Sequence, residues 1–268
     1  MSETEISTER AAYLKERKRT KNLIMIWQIG ILTMLLVIWE LSAQLGLIDS
    51  FILSQPSRMG TTLINMAQFD LMHHVWVTVY ETLVGFVMGV ITGTCLAVIL
   101  WWSSFVAKVS EPYLVVLNSL PKIALGPVII IIVGAGTEAI IFMALAISLI
   151  VTVLEMLNGF RHTDGEYIRM ASTFGATKLQ IFTKVVFPYN IATLFNSLKI
   201  NIGLSLVGVI AGEFLVSKAG LGYLIVYGGQ VFKMDLVMSS VIILAIVAAM
   251  MYEGVVLMQK IAMRWYNH

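Results

Sequence analysis

The ionisable side chains within or at the edges of long apolar runs include Glu40, Lys122, Glu155, Lys199, Glu213 and Glu253. Where such a run crosses a bilayer, a charge at mid-depth costs at least about 2.5 kcal/mol and tends to mark a pathway or a buried partner. Glu213 is a gate candidate, although a carboxylate near an interface is also simply solvated. Lys122 and Lys199 lie deeper and could attract an anionic headgroup, pair with a carboxylate, or snorkel to the surface. Glu40, Glu155 and Glu253 read as edge residues or interhelical partners. His73 and His74 are adjacent, and neighbours on a helix point about 100° apart, so a shared metal would need a loop. They read as a solvated interfacial pair.

No G-x-x-x-x-G-K-[ST] loop, G-x-S-x-G elbow or H-E-x-x-H pair occurs. The chain therefore offers no catalytic residues and no metal site, and nothing in it cradles ATP phosphates. The single Cys95 excludes an intrachain disulfide, and with it any cluster or zinc site built from cysteines.

These groups are positioned by a chain of 268 residues that is 58% hydrophobic and only 13% charged, with mean hydropathy +0.86. A soluble domain carries about 25% charged residues, so this composition points to a lipid-embedded protein. The net charge of +2 excludes a nucleic-acid-binding field. A bilayer core needs about 20 helical residues. Runs of that order cover residues 23–45, 76–102, 112–134, 138–157, 191–215 and 236–258. The third is interrupted by Pro121, Lys122 and Pro127, which predicts a kinked or broken span. The run from Leu23 is too long for a signal peptide and no cleavage pattern follows it, so it reads as a retained span.

With the N-terminus inside, six spans place 13 of the 18 lysines and arginines on the cytoplasmic side. Both termini are then cytoplasmic, residues 1–22 form a cytoplasmic leader, and residues 46–74 lie at the outer face. The expected fold class is an all-α polytopic membrane protein with about six transmembrane helices. Span five carries Ser197, Asn201, Ser205, Gly208 and Gly212 on one helix face. Close helix packing and lining of a pathway are both open for such a face.

The polar interval at residues 159–188 is expected on the inner side. Thr163 with Glu166 reads as a capping box, and Gly175 as the stop of the helix it starts. Thr177 with Gln180 repeats the box and starts a second helix, which Pro188 ends. By pattern alone this unit is either a solvated loop or a docking element for a cytoplasmic partner.

The segment IRMASTFGATKLQIFTKVVFP, Ile168 to Pro188, resembles the EAA loop of ABC-transporter permease subunits. Ala171, Gly175, Val185 and Pro188 match that pattern, Phe187 replaces a leucine, Met170 replaces an alanine, and Arg169 stands where the family has glutamate. The stretches FILSQPS, LNSLPKIALGP and LVGVIAGEFLVSKAGLGYLI extend the resemblance over about residues 23–265, and look like the nitrate, sulfonate and taurine branch. The resemblance implies a transmembrane permease domain over 23–265 with a cytoplasmic coupling loop at 159–188. It also implies a homodimer in the cell membrane of a prokaryote, two cytoplasmic ATPase subunits that bind ATP and magnesium, and an extracytoplasmic solute-binding protein. Glu166, Arg169, Ala171, Gly175, Thr177 and Pro188 then fall in the ATPase-coupling loop. The candidate pathway residues are Ser197, Asn201, Ser205, Gly208, Gly212, Glu213, Lys122 and Lys199.

A secondary carrier using Lys122, Glu213 or Glu40 as coupling-ion sites is the alternative class, and inverted repeats would favour it. None is visible by eye. A membrane scaffold ranks behind both. Nitrate, taurine, alkanesulfonates, bicarbonate and aromatic vitamin precursors all fit as solutes within the branches this sequence resembles.

Overall fold

A computed structural model of the chain describes residues 8–68 and 70–266. Every regular element among them is helical. The chain divides into two compact units, one ending at Ile64 and one beginning at Asn65.

The first unit holds α1, Thr8–Gln44, α2, Ser50–Leu53, and the start of α3, Pro56–Gln68. Helix α1 is continuous through the basic residues Lys15 to Lys21, so the helix begins well before the apolar run at Leu23. None of its 18-residue apolar window is buried by protein. Its apolar stretch is long and hydrophobic enough to cross a membrane. Asp49 caps α2 by accepting from the Phe51 N–H at 2.8 Å. Glu40 accepts from the Ser57 N–H at 3.0 Å and from Gln44 at 2.7 Å. It is thus the partner of a backbone amide at the start of α3.

The second unit contains α4, Leu71–Trp102; α5, Ser104–Ser119; α6, Gly126–Val133; and α7, Thr137–Arg161. After them come α8, Gly165–Thr173; α9, Lys178–Ile181; α10, Phe187–Tyr189; α11, Ile191–Val216; α12, Leu221–Gln230; and α13, Met234–Tyr266. Five helices, α1, α4, α7, α11 and α13, are long and apolar enough to cross a membrane. A sixth candidate is α5 followed by a 3-10 turn, Lys122–Leu125, and α6, which meet at an 87° bend. The break falls at Leu120 and Pro121, as expected from the interrupted third run, because proline cannot continue the hydrogen-bond ladder.

Helices α4, α7 and α11 pack on one another through small residues. A Cβ built on Gly85 would sit 2.5 Å from Ala144 Cβ, and one on Gly93 2.7 Å from Thr152 Cβ. On the other flank, a Cβ on Gly208 would lie 2.7 Å from Ala144 Cα. Without a hydrophobic drive between helices in lipid, such close backbone approach supplies the dispersion contacts that hold them. The result is a shared three-helix core whose two ends carry different chemistry.

Candidate functional site

At one end of that core lies the element spanning residues 163–190. Its first helix, α8, is capped by Asp164, whose Oδ1 accepts from the Glu166 N–H at 2.9 Å. This corrects the expected box by one residue. Thr163 is buried and accepts instead from Asn190 Nδ2 at 2.8 Å, so the carboxylate next to it takes the cap. The Thr163–Asn190 bond ties the two ends of the element together.

Gly175 adopts φ +76°, the left-handed conformation expected of a helix stop. The Ala176 N–H reaches Ala171 O at 3.1 Å and the Gly175 N–H reaches Ser172 O at 2.9 Å, the pairing of a Schellman turn. The second capping box is present: the Thr177 N–H donates to Gln180 Oε1 at 2.8 Å and the Gln180 N–H to Thr177 Oγ1 at 3.3 Å. Pro188 does not end that helix. A π turn, Phe182–Val186, follows α9, and Pro188 falls in the first turn of α10, where its missing N–H is not needed.

Phe182 seats the element on the bundle. Its ring lies 5.1 Å from Trp101 of α4, 5.4 Å from Phe160 of α7 and 6.1 Å from Phe187. Val186 is fully buried beside it. Away from the bundle, Tyr167, Met170, Phe174 and Leu179 are exposed, with Phe174 at 83%. Glu166 and Arg169 are exposed too, and Ala171 is half-buried. Arg169 forms no ion pair among the described residues.

The opposite end is built from long-range hydrogen bonds. Glu213 is 2% exposed, so it is not the solvated edge carboxylate that a position near an interface allows. Its Oε1 accepts from Thr78 Oγ1 at 2.6 Å and its Oε2 from the Gly222 N–H at 2.5 Å. Thr78 Oγ1 also accepts from the Leu221 N–H at 2.8 Å, and His74 Nδ1 from the Gly220 N–H at 3.0 Å. Consecutive amides at the start of α12, which no helix can satisfy internally, are thereby served by α4 and α11. A carboxylate at a helix N-terminus is favourably placed in the dipole field. Gly220, at φ +114°, and Gly222 leave room for it, since a Cβ at either would collide with the carboxylate. His74 also stacks on Tyr223 with ring centroids 6.0 Å apart, which corrects its reading as half of a solvated pair.

Glu81 was not among the sequence candidates. It is fully buried in α4, beside the Glu213 carboxyl and the Thr137 hydroxyl, and neither of its oxygens makes a hydrogen bond of good geometry. The available signal was its spacing: His74, Thr78 and Glu81 follow the i, i+4, i+7 pattern of one helix face.

Ser197, Asn201, Ser205, Gly208 and Gly212 are all buried inside the chain. Gly208 and Gly212 face Ala144 and Ile140 of α7, while Asn201 Nδ2 bonds to Ser197 at 2.9 and 3.0 Å. Helix packing occupies Gly208 and Gly212, while Asn201 Oδ1 and Ser205 Oγ are buried without a hydrogen-bond partner among the described residues. Lys122 lies in the bend, where Nζ donates to Asn118 O at 2.9 Å, and Lys199 is half-buried. No hydrogen bond or ion pair joins either lysine to Glu213 among the described residues. Other residues of α11, including Val207, Ile210 and Phe214, line an open groove of about 750 Å³ with Ile123, Ala124 and Leu244. The side chains that line it are all apolar.

A family model described as "Binding-protein-dependent transport system inner membrane component" matches residues 85–266. The chain is similar to a "Probable ABC transporter permease protein" of Haemophilus influenzae, 28% identical and covering 84% of this chain and 91% of that one. It is also similar to a "Formylaminopyrimidine transport permease protein" of Halalkalibacterium halodurans, 24% identical over 87% and 92%. A "Putative aliphatic sulfonates transport permease protein" of Bacillus subtilis is 22% identical over 90% and 88%. In fold, it resembles a chain of an inward-facing methionine ABC transporter, with TM-score 0.65 and 19% identity over 72% of this chain and 96% of that one.

Proposed function

We propose, from the premise that this chain belongs to the binding-protein-dependent transport system inner membrane components and is the permease subunit of an ABC importer, that it passes a small anionic solute of the sulfonate, taurine or nitrate kind. The mechanism is ATP-driven alternating access. Two copies of the chain frame the path, two cytoplasmic ATPase subunits bind ATP with magnesium, and an extracytoplasmic protein delivers the solute. The carrying observation is the exposed apolar patch Tyr167, Met170 and Phe174 on an element seated on α4 and α7 by Phe182.

In this reading the ATPase grips α8 and α9 with both chain termini on its side of the membrane. Glu166 and Arg169 present charge to it, Ala171 packs inward, and Gly175 and Thr177 fix the angle between the helices. Pro188 starts the return into α11. Coupling requires that nucleotide and solute each bind the inward and outward forms differently. Gly175→Val would force a β-branched residue into a left-handed conformation, a strain of about 1–3 kcal/mol. Uptake per ATP hydrolysed should fall while the complex still assembles.

Sidedness gives the direct test. With Cys95 replaced by serine, a cysteine at Phe174 should react with a membrane-impermeant maleimide only from the cytoplasmic side, and a P-loop ATPase should co-purify with the permease. Labelling from the outer side would overturn the reading. A secondary carrier is disfavoured because Glu213 and Glu40 already accept hydrogen bonds from backbone amides. The apolar groove beside α11, together with the formylaminopyrimidine relative, favours an aromatic heterocycle as the second solute class. Calorimetry of the delivering protein with taurine and with a formylaminopyrimidine separates the two.

A further inference from the structure

Lys178 is the first residue of α9, directly after the Thr177 cap. A cation there opposes the dipole of its own helix. Its charge is used elsewhere: Nζ donates to Trp102 O at 2.5 Å, across 76 residues of sequence. Trp102 is the last residue of α4, where terminal carbonyls have no intrahelical partner and a cation is favoured. The same Nζ lies 5.7 Å from the ring centroid of Trp101 and 5.6 Å from that of Trp102, within cation–π range. No carboxylate pairs with Lys178 among the described residues. The contact therefore draws its whole partner set from the end of one helix.

That helix is also the one that holds the far end of the core. His74 and Thr78, about seven turns away in α4, bind the amides of Gly220 and Leu221 that begin α12. Between the two ends, Gly85, Gly89 and Gly93 seat α4 tightly on α7. Close-packed elements of this kind move between discrete arrangements more readily than they deform.

We infer that Lys178 is a positioning residue that fastens the coupling element to the end of α4, so that displacement of α8 and α9 by the ATPase is passed through α4 to α12. This rests on the permease reading above. Phe182 supplies the apolar seat on α4 and α7 together, whereas Lys178 acts on α4 alone and carries directionality.

The test uses the full transporter, reconstituted with its co-purifying ATPase in a Cys95→Ser background. A cysteine at Tyr227, an exposed position on α12, is labelled by an impermeant maleimide with and without ATP and vanadate. The wild-type side chain at 178 should give a nucleotide-dependent change in labelling rate. Lys178→Met keeps the aliphatic stem and should reduce that change about tenfold while ATP hydrolysis and assembly persist. Lys178→Arg, which retains both the donor and the cation, should restore it. Trp102→Ala removes one ring but leaves the carbonyl, and should give an intermediate loss; it serves as the second probe should Lys178→Met fail to assemble. An undiminished nucleotide response in Lys178→Met, or in Trp102→Ala where the methionine variant does not assemble, would overturn the inference. Absence of any nucleotide response in the unsubstituted transporter would instead overturn the permease reading.

Discussion

The two ends of the α4–α7–α11 core solve the same problem, orphaned helix amides, in opposite ways. At the end that carries residues 163–190, α8 and α9 are capped by Asp164 and Thr177, each within three residues of the amide it serves. At the other end, α12 is capped by His74 and Thr78, 146 and 143 residues away, and by Glu213, nine residues before it. Local caps let a segment keep its shape while its outer face stays free for another protein. Distant caps make α12 depend on the relative placement of α4 and α11. In the proposed permease, the first arrangement suits an end held from outside and the second an end that reports how the helices stand.

That contrast can be broken by substitution. The largest effect is expected from Phe182→Ala, which empties the aromatic seat between Trp101 and Phe160 and should cost about 3–5 kcal/mol. Thermal unfolding in detergent would measure it, and a loss below 1 kcal/mol would mean that the element is not seated through this ring. Thr78→Val should follow at about 2–3 kcal/mol, because it leaves the Leu221 amide and one Glu213 oxygen without their hydroxyl partner. Hydrogen exchange at Leu221 and Gly222 should accelerate while the amides of α8 and α9 keep their protection. Thr177→Ala removes an exposed local cap and should cost only about 1 kcal/mol, confined to exchange in α9. Equal effects from the two threonines, or exchange that spreads from either end to the other, would dissolve the distinction.

The same contrast decides what could be read from sequence. The bend at Pro121, the stop at Gly175 and the Thr177–Gln180 box are each set by residues within a few positions, and all stand where the spacing puts them. The first box slipped by one residue because two good acceptors, Thr163 and Asp164, are adjacent, and only the tertiary partner Asn190 decides between them. Pro188 departs from its expected place for a related reason: a π turn shifts the hydrogen-bond register ahead of it, and no residue type announces that turn. The small-residue face of α11 was legible as a special face, but a glycine does not say whether it meets another helix or a pathway. Glu81 lies inside an apolar run with no local motif around it, yet with Glu213 it is the most deeply enclosed carboxyl of the second unit among the described residues.

The occupied amides of α12 bear on ion selection. Open helix N-termini attract phosphates, sulfates and carboxylates. This one is already occupied by the protein's own buried carboxyl, so its amides are not open to a passing ion. In the proposed importer, selection of the solute therefore falls to other parts of the assembly than the start of α12.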